Sequence, residues 1–234
     1  MTNPTPPNRR KIPLPLLGVF LLLLFACGES KPTGTSGNNS KQTENQLPSF
    51  RILILGDSLS EGYGVLESEA YPSLLEEKLN KELSPKTKLR YKIVNGGISG
   101  ATTSGGVSRI EWFLKAKPDY LLVALGGNDG LRGIPIEEMK KNIARILQAA
   151  RQSEIPTMLA GMKIPPNYGP EYSVAFAKVF EDLAEEHEVP LIPFLLEGVG
   201  GNPKLNLPDR IHPNALGHRT LCQTVYKSLV ANLN

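Results

Sequence analysis

The sequence predicts an α/β fold in which a five-stranded parallel sheet carries helices on both faces. The first observation behind this prediction is that five short apolar runs alternate along the chain with five longer segments of helical periodicity. Elements that alternate in this way form parallel sheets, because right-handed crossovers place each helix over the sheet. The second observation is that chemically unusual motifs directly follow the first three runs, and parallel sheets bind ligands at the carboxyl ends of their strands.

The five apolar runs have the length of strands, and continuous apolar runs are typical of strands that are buried on both faces. The predicted strands are 51–55, 91–95, 120–125, 157–161 and 191–193.

The five longer segments keep their apolar residues on one helix face. In the third segment, for example, Met139, Ile143 and Ile146 recur at the required spacing. Pro135 precedes them, where the first turn of a helix tolerates a missing amide. The predicted helices are 71–83, 107–116, 136–153, 173–188 and 215–233.

The 234 residues divide into three predicted segments. Residues 1–26 have the pattern of a signal peptide, because basic residues at 9–11 precede an apolar run at 14–26 that is short for a membrane span. An uncleaved membrane anchor is the alternative. Residues 27–49 are polar and rich in Gly, Ser, Thr and Asn, which predicts a flexible linker. Residues 50–234 are long enough for one domain with a full core.

Cys27 directly follows the apolar run, and the sequence Leu24-Phe25-Ala26-Cys27 is similar to the lipobox of bacterial lipoproteins. We therefore expect an exported protein that is either anchored to the membrane through a lipid on Cys27 or released into the periplasm after cleavage. Cys222 lies in an apolar helical pattern and is predicted to be a buried, unpaired thiol.

Composition excludes several classes of function. Lys and Arg number 26 against 23 Asp and Glu, and the surplus of three lies entirely in residues 9–11. The remaining chain lacks the clustered positive charge of a nucleic-acid binder. Two cysteines are too few for a disulfide scaffold or a cysteine-based zinc site. We expect no metal, no organic cofactor, and a monomer whose partner is a small-molecule substrate.

Ser58 is the first candidate for catalysis. It lies in the tetrapeptide Gly56-Asp57-Ser58-Leu59, directly after the first predicted strand. A serine acts as a nucleophile when a base takes its proton and hydrogen-bond donors receive the oxyanion. Asp and Ser are also common at helix starts, so a simple N-cap is the alternative for this motif.

Asp209 and His212 supply a carboxylate and an imidazole three residues apart, in the sequence DRIHPN. In a local contact Asp209 would fix the tautomer of His212, which would then take the Ser58 proton. A surface ion pair is the alternative. His187 is interpreted as a solvated helix end among glutamates, and His218 as a structural residue of the last helix.

The glycine-rich stretch 95–106 and the tetrad GGND at 126–129 follow the second and third strands. The stretch matches neither nucleotide fingerprint, so a phosphate cradle is weakly supported. Exposed amides there suit an oxyanion donor, with Gly100 in a suitable place, and the side-chain amide of Asn128 is a second donor. A plain turn is the alternative for the tetrad.

In this order and spacing, the four motifs resemble those of the SGNH or GDSL hydrolase family, over essentially all of residues 50–234. The resemblance implies a flavodoxin-like three-layer α/β/α sandwich. It also implies that Ser58 is the nucleophile, His212 the base and Asp209 its orienter. The oxyanion hole would combine the amides of Ser58 and Gly100 with the Asn128 side chain. Ala101 departs from the family, where an acidic residue often follows this glycine.

The implied activity is that of a serine esterase acting on carboxylic esters or thioesters through an acyl-Ser58 intermediate, of the arylesterase, lysophospholipase or acyl-thioesterase type. A carbohydrate O-deacetylase, or a lipoprotein that binds ligand without catalysis, are the alternatives. In the resembled enzymes two loops flank an acyl groove, although ordinary loop packing is equally compatible with the residues there. The candidate acyl contacts in those loops are Leu131, Ile134, Ile164, Pro165 and Tyr168.

Overall fold

Five parallel strands form the central sheet, in the spatial order β2-β1-β3-β4-β5. The computed structural model describes residues 47–233. The predicted signal peptide, Cys27 and nearly all of the predicted linker therefore lie outside the described residues. The strands are β1 Ser49–Gly56, β2 Arg90–Gly97, β3 Tyr120–Ala124, β4 Thr157–Ala160 and β5 Leu191–Ile192.

All five predicted strands are confirmed, and their ends move by at most two residues. The largest changes are in β1 and β2, which pair along their whole length from Ser49 with Arg90 to Gly56 with Gly97. Ser49 thus belongs to the sheet, and the prediction that the linker extends to residue 49 is wrong. Main-chain pairing lengthens these strands beyond their apolar residues, which are all that the sequence pattern reports.

All five predicted helices are confirmed, and three one-turn helices are added. The starts of two long helices were predicted too late: α4 includes the glycine-rich turn from Thr103, and α7 begins at Pro170, where proline suits a first turn. The helices are α1 Ser58–Glu61, α2 Tyr71–Glu82, α3 Ser84–Thr87, α4 Thr103–Leu114, α5 Gly127–Leu131, α6 Ile136–Gln152, α7 Pro170–His187 and α8 Ala215–Asn232.

The helices form two layers around the sheet. Helix α2 packs against α8 in one layer, and α6 packs against both α4 and α7 in the other. The side chains of the central strands β1 and β3 are buried from both sides, with Ile52–Leu55 and Leu121–Val123 at most 1 % exposed. The structure thus confirms the predicted α/β/α sandwich with its five-stranded parallel sheet.

The exposed edge of the sheet at β2 is covered by polar side chains of α2. Asn80 accepts a hydrogen bond from the Tyr91 amide and donates one to its carbonyl, and Glu76 accepts one from the Ile93 amide. These bonds occupy main-chain groups that would otherwise be open to pairing with another strand.

Within residues 47–233, no helix is long and apolar enough to cross a membrane. Cys222 is buried and unpaired, as predicted, and burial raises the pKa of its thiol to about 11.

Candidate active site

Ser58 lies at the turn that joins β1 to α1. Strand β1 ends at Gly56, and the Asp57 side chain caps α1 by accepting a hydrogen bond of 3.0 Å from the Leu59 amide. Asp57, rather than Ser58, is therefore the N-cap of this helix. The Ser58 hydroxyl is left for a different partner, and the Ser58 amide is in the first turn, where amides have no acceptor within the helix.

That partner is His212, which connects Ser58 to Asp209. The distance from Ser58 Oγ to His212 Nε2 is 3.0 Å, and the distance from His212 Nδ1 to Asp209 Oδ2 is 2.7 Å. The three side chains form a continuous hydrogen-bonded line, although Ser58 and His212 are 154 positions apart in the sequence. The structure therefore brings together the three residues that the sequence predicted.

Asp209 is held by its own loop in the ionised form. Its second oxygen, Oδ1, accepts hydrogen bonds from the amides of Ile211 at 2.9 Å and His212 at 3.0 Å. Slight burial acts to raise the pKa of Asp209, but the hydrogen bonds from the His212 amide, the His212 ring and the Ile211 amide lower it below its ordinary value. A carboxylate can only accept, so Nδ1 of His212 carries a hydrogen and the lone pair of Nε2 faces Ser58.

Asn128 approaches the same turn from the end of β3. Its Nδ2 donates to the Ala101 carbonyl at 3.1 Å and to Asp57 Oδ2 at 3.4 Å. The bond to Asp57 is long, so this amide hydrogen is the one more easily redirected to a ligand. Strands β1 and β3 are neighbours in the sheet on the side where the strand order turns, which is the usual position of a ligand site in such folds.

Asp129, the last residue of GGND, has a structural role. It is buried, and its carboxylate accepts hydrogen bonds from the amide and hydroxyl of Thr103 at 2.9 and 2.6 Å. Asn142 of α6 donates to the same hydroxyl. This network fixes the start of α4 against α5, and with it the glycine-rich loop that precedes α4.

Gly100 lies in that loop with a φ of +75°, a conformation that a side chain would strain. The Ala101 amide donates to the Ile98 carbonyl, and Arg132 donates to the Gly100 carbonyl at 3.0 Å. The loop is thus held by one main-chain hydrogen bond and by the Arg132 side chain, and neither bond involves the Ala101 side chain. The Gly100 amide makes no hydrogen bond to a described residue.

Asp57 differs from Asp209 although both flank the site. Asp57 is buried, and its pKa is raised to about 6 because loss of solvent disfavours the charged form. Hydrogen bonding to the Leu59 amide and the proximity of His212 oppose this shift only in part.

The predicted acyl contacts divide into two groups. Tyr168 and Pro165 are exposed, and the Tyr168 hydroxyl donates to the Leu131 carbonyl at 3.1 Å, which joins the two predicted loops. Leu131 and Ile134 are half-buried. Ile164 is part of the hydrophobic core, which agrees with the packing alternative for this residue.

Three exposed apolar residues near the catalytic line were missed by the sequence reasoning. Tyr63 packs its ring against His212, Ile98 precedes Gly100 in the glycine-rich loop, and Ile211 lies between Asp209 and His212. Each of these residues lies in or beside a predicted motif, and this position in the sequence could have identified it as part of the site.

The other two histidines lie outside the catalytic line. His218 is buried, and its Nδ1 accepts a hydrogen bond from the Tyr71 amide, which confirms the structural role predicted for it. His187 ends α7 as predicted, but its Nε2 is buried without a hydrogen bond to any residue of 47–233, so the prediction of a solvated side chain is wrong for that atom. In residues 47–233, no group of three or more His, Cys, Asp or Glu side chains is placed to hold a metal ion.

This chain is similar to known proteins in sequence and in fold. The model of the GDSL-like lipase/acylhydrolase family matches residues 54–220. Esterase TesA of Pseudomonas aeruginosa is 37 % identical over 79 % of this chain and 90 % of its own length. Thioesterase 1/protease 1/lysophospholipase L1 of Escherichia coli K12 is 40 % identical over 70 % of this chain and 75 % of its own. The psychrotrophic esterase EstA from Pseudoalteromonas sp., solved with monoethylphosphonate as inhibitor, superposes with a TM-score of 0.73 at 34 % identity, covering 79 % of this chain and 98 % of its own.

Proposed function

Because this chain belongs to the GDSL-like lipase/acylhydrolase family and is a serine esterase, we propose that it hydrolyses carboxylic esters and thioesters through an acyl intermediate on Ser58. The observation that carries this proposal is the hydrogen-bonded line from Ser58 through His212 to Asp209, with contacts of 3.0 and 2.7 Å. Nucleophile, base and orienting carboxylate are then within the distances that acyl transfer requires.

In the first half of the reaction, Ser58 Oγ attacks the carbonyl carbon of the substrate. His212 Nε2 takes the hydroxyl proton as the bond forms, and the electron pair of the carbonyl double bond moves to the oxygen. The Asp209 carboxylate stabilises the imidazolium that results. His212 then gives its proton to the leaving alcohol or thiol, which departs as the carbonyl re-forms and leaves an ester on Ser58.

The oxyanion of this step requires preorganised donors. The Ser58 amide, the Gly100 amide and one hydrogen of the Asn128 side chain are proposed to supply them. Support comes from the Gly100 amide, which bonds to no described residue, and from the long hydrogen bond of 3.4 Å between Asn128 and Asp57, which a developing negative charge would replace.

The second half repeats the first with water as the nucleophile. His212 Nε2 removes a proton from water, the hydroxyl attacks the acyl carbon, and Ser58 leaves with the proton that the imidazolium returns. The free acid and the resting enzyme result, so neither a metal nor an organic cofactor enters any step.

We propose that the substrates are single-chain acyl esters, including lysophospholipids. This proposal is supported by exposed apolar side chains at the carboxyl edge of the sheet, because exposed apolar surface that is clustered often marks a ligand-binding groove. They are Ile98, Tyr168 and Ile211, and the predicted acyl contacts Leu131 and Ile134 are half-buried. One relative is named an esterase and the other includes lysophospholipase in its name, and both names agree with this class of substrate.

The location of the enzyme is proposed from the sequence alone. The basic residues and apolar run before Cys27 support export, and the polar stretch that follows supports a tether of about 20 residues. A lipid on Cys27 would hold the enzyme where single-chain lipids occur.

A panel of p-nitrophenyl esters with acyl chains of different length tests the proposed function, with the full-length chain and its Ser58→Ala variant. We expect hydrolysis that is greatest for middle or long chains and absent from Ser58→Ala, whose circular dichroism and thermal unfolding should match those of the unaltered chain. Full activity of Ser58→Ala would refute the assignment of the nucleophile. A sharp preference for acetate would contradict the acyl-chain proposal and favour an O-deacetylase.

A further inference from the structure

Tyr63 places its aromatic ring against the imidazole of His212. The ring centroids are 4.4 Å apart, and the ring planes are inclined by 40°. Tyr63 lies two residues after the end of α1, which carries Ser58, whereas His212 comes from the distant loop before α8. The contact therefore bridges the two chain segments that must meet for Ser58 and His212 to react.

The backbone that carries Tyr63 is fixed to both of these segments. Its amide donates to the Ser58 carbonyl at 3.1 Å. The next residue, Gly64, has a φ of +78° and lies so close to Leu207 that a Cβ atom would overlap its side chain. The Leu207 amide in turn donates to the His212 carbonyl at 2.7 Å. The position of the Tyr63 ring is thus coupled to both ends of the Ser58–His212 hydrogen bond.

Tyr63 contributes little to the hydrophobic core. The residue is 51 % exposed, while the side chain of His212 is 20 % exposed. An aromatic side chain in this position shields one face of the imidazole and restricts rotation of its plane away from Asp209 and Ser58. The face of an aromatic ring also attracts a neighbouring cation, and His212 becomes a cation whenever Nε2 takes the Ser58 proton.

We propose that Tyr63 is a positioning residue for the catalytic histidine, and that its ring both aligns the imidazole of His212 and stabilises the imidazolium. This inference rests on the proposed function, because it assigns Tyr63 a part in the same proton transfer. The contact is made by the two rings, so the aromatic face rather than the tyrosine hydroxyl carries the effect. We therefore expect Tyr63→Phe to retain activity, whereas an aliphatic side chain of similar bulk should reduce it.

The experiment compares Tyr63→Phe with Tyr63→Leu in the full-length chain, and Tyr63→Met supplies a second side chain without a ring. Trp112→Leu is the matched control, since Trp112 is an exposed aromatic on α4 that packs on Phe113, outside the site. For each variant, kcat and KM are measured with p-nitrophenyl butyrate. The rate of inactivation by a p-nitrophenyl alkylphosphonate is measured as well, because it reports attack by Ser58 without deacylation.

We expect kcat for Tyr63→Leu and Tyr63→Met to fall about fivefold or more, with KM nearly unchanged and the phosphonate reaction slowed to the same degree. Tyr63→Phe and Trp112→Leu should remain within about twofold of the unaltered chain. Three results would overturn the proposal: equal kcat in the leucine variant, a loss in Tyr63→Phe as large as in Tyr63→Leu, or a rise in KM without a fall in kcat. The last result would make Tyr63 a substrate contact.

The unaltered chain and Ser58→Ala separate this inference from the proposed function. If the unaltered chain hydrolyses the ester and Ser58→Ala does not, an unaffected Tyr63→Leu refutes only the role of Tyr63. If Ser58→Ala is active, the proposed function itself is refuted, and the role of Tyr63 that rests on it is refuted as well.

Discussion

The loop that carries His212 and the helix that carries His218 place two histidines in contrasting environments. His212 keeps one fifth of its side chain exposed, and both of its ring nitrogens have partners, Asp209 and Ser58. His218 is fully buried in α8, with Nδ1 bonded to the Tyr71 amide and Nε2 without a partner among the described residues. Burial lowers the pKa of His218 to about 4, so it stays neutral at physiological pH. His212 suits the role of a base because its loop provides a carboxylate and access to solvent.

The two aspartates beside the site, Asp209 and Asp57, also lie in contrasting environments, and their pKa values shift in opposite directions. Asp209 has a lowered pKa because hydrogen bonds from its own loop stabilise its charge in spite of slight burial. Asp57 has a pKa raised to about 6 because burial dominates over the hydrogen bond from the Leu59 amide and the proximity of His212. Asp209 therefore suits the support of an imidazolium, and Asp57 suits a helix cap that also holds the Asn128 amide.

Of the variants that test this contrast, Asp209→Asn should have the largest effect on kcat. An asparagine amide can donate to Nδ1, which favours the tautomer whose Nε2–H faces Ser58 and cannot accept its proton. We expect kcat to fall by roughly 10³- to 10⁴-fold while the fold is retained, as measured with the p-nitrophenyl ester that gives the highest rate and by circular dichroism. A fall of less than tenfold would show that Asp209 does not set the tautomer of His212.

Asn128→Ala should have the next largest effect. If its amide receives the oxyanion, its removal should cost roughly 2.7 to 4 kcal/mol of transition-state stabilisation, with a change in kcat rather than in KM. Asp129→Ala is the matched comparison within the same tetrad, since Asp129 holds Thr103 and should affect the free energy of unfolding. An unchanged rate in Asn128→Ala would make GGND a structural turn only.

The fold was largely predictable because it depends on periodicity and apolar runs, which each segment displays by itself. The contacts of Ser58, His212 and Asp209 were predictable because the three residues lie in short motifs whose residue types suit acyl transfer. Tyr63 was not predicted, because its ring meets His212 only after β1 and the loop before α8 have come together. The early start of α4 was missed for a similar reason, since Thr103 is held there by hydrogen bonds that it donates to Asp129, a residue of a distant motif.

The buried residue His218 should have the smallest effect, which is a change in the free energy of unfolding that depends on pH. A folded pKa of about 4, against an ordinary value of 6.5, means that the unfolded chain binds a proton on His218 over a range in which the folded chain does not. Stability from this group is therefore full above pH 6.5 and falls by up to roughly 3 kcal/mol as the pH drops toward 4. Asp57 acts in the opposite direction, because its raised pKa favours the folded state at low pH.

His218→Gln isolates this contribution, since a glutamine oxygen can accept the Tyr71 amide but does not titrate. Urea unfolding at pH 7.5 and pH 4.5 should show a smaller loss of stability on acidification for His218→Gln than for the unaltered chain. The contribution of Asp57 is common to both proteins and cancels in this difference. Equal losses in the two proteins would show that His218 is protonated in the folded state, and the contrast between the two histidines would then rest on their partners rather than on burial.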